Sequence, residues 1–98
     1  GVTGVQTCAL PIFTKGETVK CIVDYDLFDC NVNGEEGCYI RYSEMNNKHI
    51  IYFPCNKEWA ELPLESFKLV NKPGYISAKY KKFVKNVRLL EYTEEDAA

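Results

Sequence analysis

CYIRYSEMNNKHIIYFPCNKEWAEL, residues 38–62, is the stretch on which the reading of this chain turns. Three runs in it are rich in β-branched and aromatic residues, the types that suit a pleated, half-buried surface: Cys38–Ser43, His49–Phe53 and Glu58–Leu62. Between them lie Glu44–Lys48, whose asparagines tolerate left-handed backbone, and Pro54–Lys57, a second turn segment. The pattern predicts a three-strand antiparallel meander. Side chains alternate between the two faces of a strand. If Ile51 and Ala60 pair on the inward face, Phe53 and Leu62 also point inward, and Tyr52 and Trp59 stand opposite each other on the outer face. Tyr39 and Arg41, two residues apart, are expected to share that outer face.

Upstream, ETVKCIVDY (residues 17–25) sets Val19, Cys21 and Val23 in alternation with Lys20, Ile22 and Asp24, which predicts a strand. The segment after it, YDLFDCNVNGEEG (residues 25–37), is rich in Asp, Asn and Gly and reads as a long irregular loop ending in a tight turn. Downstream, Pro63–Ser66 suits one tight helical turn, because proline holds φ near the helical value. Phe67–Val70 then makes a fifth strand.

After the breaker Asn71-Lys72-Pro73-Gly74 the period changes. Ile76, Tyr80, Phe83, Val84 and Val87 recur at three- and four-residue steps, which predicts an amphipathic helix over about residues 77–92 with Ser77 as its N-cap. Acidic residues at its far end oppose the helix dipole and weaken the last turn.

The order strand, long loop, three-strand meander, helical turn and short last strand resembles an SH3-like small barrel. The resemblance covers about residues 15–70 and is carried by GEEG before CYIRY, by HIIYF and EWAEL, and by the PLESF turn into FKLV. The wording is also similar to small SH3-like proteins of phages and mobile elements. The resemblance implies a mainly β, five-stranded SH3-like barrel over residues 13–71. A C-terminal region, residues 72–98, adds one basic amphipathic helix and an acidic tail, packed on or beside the barrel. The clustered aromatics of peptide-binding SH3 domains are missing, so polyproline recognition is not implied.

The first residues stand apart. VTGVQTCALPI, residues 2–12, resembles the in-frame translation of a sequencing-library adapter; the adapter's spare final T requires the next codon to begin with T, and Phe13 obeys. Residues 1–12 are therefore expected to be an artefact rather than native sequence, to be set aside before the fold is considered. The native start, with any signal peptide, is then expected to be missing.

Charge is segregated. Of the formal net −2, residues 13–70 carry −4, residues 71–90 carry +6 with no acid, and the last eight carry −4. Without Cys8, four cysteines remain: Cys21, Cys30, Cys38 and Cys55. They show no C-x-x-C pair and no regular interval, so they read as buried or half-buried free thiols, with no metal and no cofactor expected. His49 is the only histidine. Its one conceivable catalytic partner is Cys55 across a hairpin, and nothing in their spacing supports a nucleophile–base pair. The GEEG turn would repel phosphate rather than cradle it. Catalysis is not expected.

Two features point to binding. An exposed Tyr52–Trp59 pair, with Tyr39 and Arg41 beside it, would offer an aromatic platform for a peptide or a base. The alternative, which we favour, is an aromatic pair that merely braces the sheet or is covered by the C-terminal helix. The second feature is the basic helix, where Lys81, Lys85 and Arg88 form one stripe flanked by Lys79 and Lys82. It would serve nucleic-acid phosphates if it were more than a solvated face. The expected function is a non-catalytic binding module for a protein partner, with nucleic acid as the alternative. No membrane partner is expected, no apolar run approaches the about 20 residues that span a bilayer, and the expected location is cytoplasmic.

Overall fold

The computed structural model describes residues 13–81 and Phe83. Their strands are β1 (Thr18–Cys21), β2 (Asp26–Leu27), β3 (Cys30–Asn31), β4 (Glu36–Ser43), β5 (Lys48–Phe53), β6 (Glu58–Leu62) and β7 (Phe67–Leu69), with a 3₁₀ turn at Leu64–Ser66. Five of them form one antiparallel sheet in the order β6-β5-β4-β1-β7, while β2 and β3 form a separate hairpin. Helix begins at residue 78, one residue after the expected start. The adapter-like residues 1–12 and the far end of the expected helix lie outside the described residues.

The sheet is open. β6 pairs with β5 alone and β7 with β1 alone, so these two are its edges. The closed barrel expected from the sequence is therefore not formed among the described residues. β7 has three residues, all paired with β1, and that short strand does not reach round to β6.

The register of the second hairpin is the one the alternation predicts. Ile51 faces Ala60, Tyr52 faces Trp59 and His49 faces Leu62. On one side of the sheet Ile51, Phe53, Ala60 and Leu62 join Val19, Cys21, Tyr39 and Phe67 in the main core. Leu27 and Val32, from the hairpin region, close that core. Gly37 is forced by proximity: a Cβ there would sit 2.6 Å from Ile51 Cγ2 and 2.8 Å from the Tyr52 carbonyl oxygen.

Two elements differ from the sequence reading. β1 stops at Cys21 rather than running to Tyr25, because its partner β7 offers pairing only as far as Phe67 opposite Cys21. Ile22, next in line, donates its N–H to the Ser66 carbonyl at 2.8 Å, and the chain leaves the sheet with Ile22 and Val23 exposed. The supposed loop contains the β2–β3 hairpin. Its polar residues bond across it, Asn31 Nδ2 donating to Asp26 Oδ1 and Asn33 Nδ2 to Asp24 Oδ1, both at 2.9 Å. Leu27, 5% exposed, anchors it in the core. One buried leucine and side-chain bonds leave almost no periodic trace in a sequence.

Candidate functional site

Tyr52 and Trp59 do stand opposite each other, their rings edge to face with centroids 5.8 Å apart. They are not a free platform. Phe83, from the start of the helix, stacks on Tyr52 with centroids 4.5 Å apart and planes 21° from parallel. Tyr80 is 3% exposed and packs with Cys38, Ile40 and Ile50 beneath the same rings. The outer face of the meander is thus a second, smaller core, and the first turn of the helix closes it.

The path of the chain into that helix is held by Glu17. This residue is 1% exposed; its Oε1 accepts the Thr14 N–H at 2.7 Å and its Oε2 accepts the Gly74 N–H. Its backbone also bridges Ile76. A buried carboxylate demands such donors, so the segment after β7 is pinned to the sheet before the helix starts. Ser77 occupies the expected position ahead of the helix. Its buried Oγ has no hydrogen-bond partner among the described residues, however, and the Tyr80 N–H bonds to the Ser77 carbonyl instead.

Tyr39 and Arg41 do not share one face. The β4–β5 register shifts between them, leaving Ile40 as an extra residue in a bulge, so that Tyr39 lies opposite Ile51 and Arg41 opposite Ile50. Tyr39 therefore turns into the main core. Its ring stacks on Phe13 at 4.8 Å, and its hydroxyl is hydrogen-bonded to His49 Nδ1 at 2.8 Å. Burial pushes its hydroxyl up to about 12, with Glu17 and Tyr42 adding to the shift. Arg41, opposite Ile50, stays with the Tyr52 face and is half-buried.

His49 is surrounded by aromatic rings, with Phe13, Tyr42 and Phe67 all within 5.6 Å of it between centroids. Burial lowers its pKa from the usual 6.5. It lies at the start of β5, whereas Cys55 lies beyond the strand's end, and the structure does not bring the two together. Cys55 instead meets Cys30 of β3, Sγ to Sγ at 3.5 Å. That contact, joining residues 25 apart, has no signature in spacing, and the sequence reading missed it. Among the described residues no three His, Cys, Asp or Glu side chains converge as a metal site would require. No helix among them is long and apolar enough to cross a membrane.

Of the basic stripe, Lys79 and Lys81 are exposed on the first helical turn, and Lys82, Lys85 and Arg88 lie outside the described residues. Lys79 reaches over the Tyr80 ring, 5.6 Å from its centroid. It also lines an open pocket of about 470 Å³ together with Lys20, Glu35, Glu36 and Cys55. The pocket's charges are mixed, two ammonium groups against two carboxylates.

Two exposed aromatics among the described residues, Phe28 and Tyr75, were not singled out by the sequence, and Phe28 is the more exposed. Phe28, at the tip of the β2–β3 hairpin, is 75% exposed on a left-handed backbone with φ of 59°. Its neighbour Leu27 is tied to the β5–β6 turn, where Asn56 Nδ2 donates to the Leu27 carbonyl at 2.8 Å. No protein-family model matches this chain, and neither a curated protein nor a solved structure matches it.

Proposed function

We propose that this chain is a non-catalytic binding module with SH3-like organisation, a small accessory protein of a phage or mobile element that engages a protein partner. Support for the organisation comes from the strand order, with a hairpin after the first strand and a 3₁₀ turn before the last. The binding reading is carried by Phe28. A bulky residue at positive φ is unfavourable, and such strain persists where the surroundings over-determine it, often at functional positions. Here it holds a large apolar ring in water on a hairpin tied through Leu27 to the β5–β6 turn. Rigid exposed aromatics of this kind anchor protein interfaces. The Tyr52–Trp59 face, by contrast, is occupied by the chain's own helix, which moves the proposed contact surface to the hairpin.

Nucleic acid is the weaker reading. Its described basic residues are Lys79 and Lys81, and Lys79 shares its pocket with Glu35 and Glu36, which repel phosphate. Two measurements on the full chain separate the readings. In capture from a bacterial lysate, at least one partner should be retained by the parent chain and by Met45→Ser, a control at another exposed site, and lost with Phe28→Ser. A Phe28→Ser variant that captures the same proteins contradicts the hairpin surface. In the second, fluorescently labelled single- and double-stranded DNA and RNA should show no binding at low salt. Tight binding that falls steeply with salt would replace the protein-partner reading with the nucleic-acid one.

A further inference from the structure

The four described cysteines divide into two kinds. Cys21 and Cys38 are fully buried, Cys21 with its thiol donating to the Val23 carbonyl at 3.2 Å, and burial pushes the Cys38 thiol up to about 12. Cys30 is half-buried and Cys55 exposed, and both are free thiols. Their sulfurs are in van der Waals contact at 3.5 Å. A disulfide bond is about 2.05 Å long, so closure requires the sulfurs to approach by only about 1.5 Å. The two backbone segments are already joined through the Asn56–Leu27 hydrogen bond one residue from Cys55. Cys55 also opens onto the pocket lined by Lys20, Lys79, Glu35 and Glu36, so a small charged reagent can reach its sulfur.

The geometry points to Cys30 and Cys55 as a redox-responsive dithiol that low-molecular-weight disulfides of the glutathione class convert to an intramolecular disulfide. The link locks the β2–β3 hairpin to the β5–β6 turn. The pocket suits such a reagent, whose carboxylates face Lys20 and Lys79 and whose ammonium groups face Glu35 and Glu36. The Cys55 thiolate attacks one sulfur of the reagent, forming a mixed disulfide, and the S–S bond breaks to release one thiolate, which takes up the proton Cys55 gave up. The Cys30 thiolate then attacks Cys55 Sγ and expels the second thiolate, which is protonated in turn. The protein loses two electrons and two protons, and the reagent is reduced to two thiols. Burial, followed by the contact with Cys30, pushes the Cys55 thiol up to about 11. Since the thiolate is the attacking species, exchange is slow at neutral pH and accelerates about tenfold per pH unit between 7 and 9.

The test uses the folded full chain with oxidised glutathione, followed by peptide mapping without reductant. The expected product is one Cys30–Cys55 crosslink, with Cys21 and Cys38 alkylated only after unfolding. Cys30→Ser should instead accumulate a stable glutathione adduct on Cys55, because the resolving thiol is gone, and Cys55→Ser should react at least about tenfold more slowly. The parent chain keeping all its thiols in excess reagent would overturn the proposal. So would crosslinks to Cys8 or between chains forming as fast as the Cys30–Cys55 link, or a Cys30→Ser variant that gains no adduct.

Discussion

His49 shows how much one residue's surroundings decide. As the only histidine it attracts a catalytic reading, yet it packs among Phe13, Tyr39, Tyr42 and Phe67 and bonds to the Tyr39 hydroxyl. Burial lowers its pKa, so the folded protein keeps it neutral where the unfolded chain takes up a proton. A depressed pKa contributes stability that is present above the unfolded value and lost as pH falls through the folded one. The thermal midpoint should therefore be flat above about pH 6.5 and fall below it, by at most about 1.4 kcal/mol of stability per pH unit from this group. Thermal melts of the parent chain and His49→Gln across pH 5–8 check this; the variant should be less stable at pH 8 and lose the slope between pH 6.5 and 5.

At the scale of elements, the turns carry the strain. Asn47 and Lys57 both sit at positive φ, 56° and 58°, in the turns flanking β5. Asparagine tolerates that region, whereas lysine is disfavoured there by about 1 kcal/mol, part of which glycine would recover after its larger loss of chain entropy. Lys57→Gly should stabilise the fold by about 0.5 kcal/mol, read as a higher urea midpoint with an unchanged slope. This turn was only partly legible. Pro54-Cys55-Asn56-Lys57 announces a reversal, but the left-handed position falls on Lys57, where no residue preference marks it. The strands of the meander were legible because period two is enforced by a buried face, and the Tyr52–Trp59 pairing followed from it. The Ile40 bulge was not legible, since one extra residue leaves composition unchanged while sending Tyr39 inward. Glu17 was equally silent: its role depends on donors from Thr14 and Gly74, brought together only by the fold.

Over the whole molecule, the segregation of charge and the change of period at Asn71 divide the chain into an acidic sheet and a basic segment, and the first helical turn of that segment completes the sheet's second face. The aromatic pair that looked most like a binding platform is thereby half-buried, with Phe83 stacked on Tyr52. Its best reporter is Trp59, the only tryptophan. The decisive measurement is acrylamide quenching of Trp59 fluorescence, with thermal stability, in the parent chain and in Phe83→Ala. Removal of the ring stacked on Tyr52 should raise the quenching constant, shift emission to the red and cost about 1–2 kcal/mol. Unchanged quenching and an unchanged midpoint would contradict the covered face and return Tyr52 and Trp59 to the surface as a site.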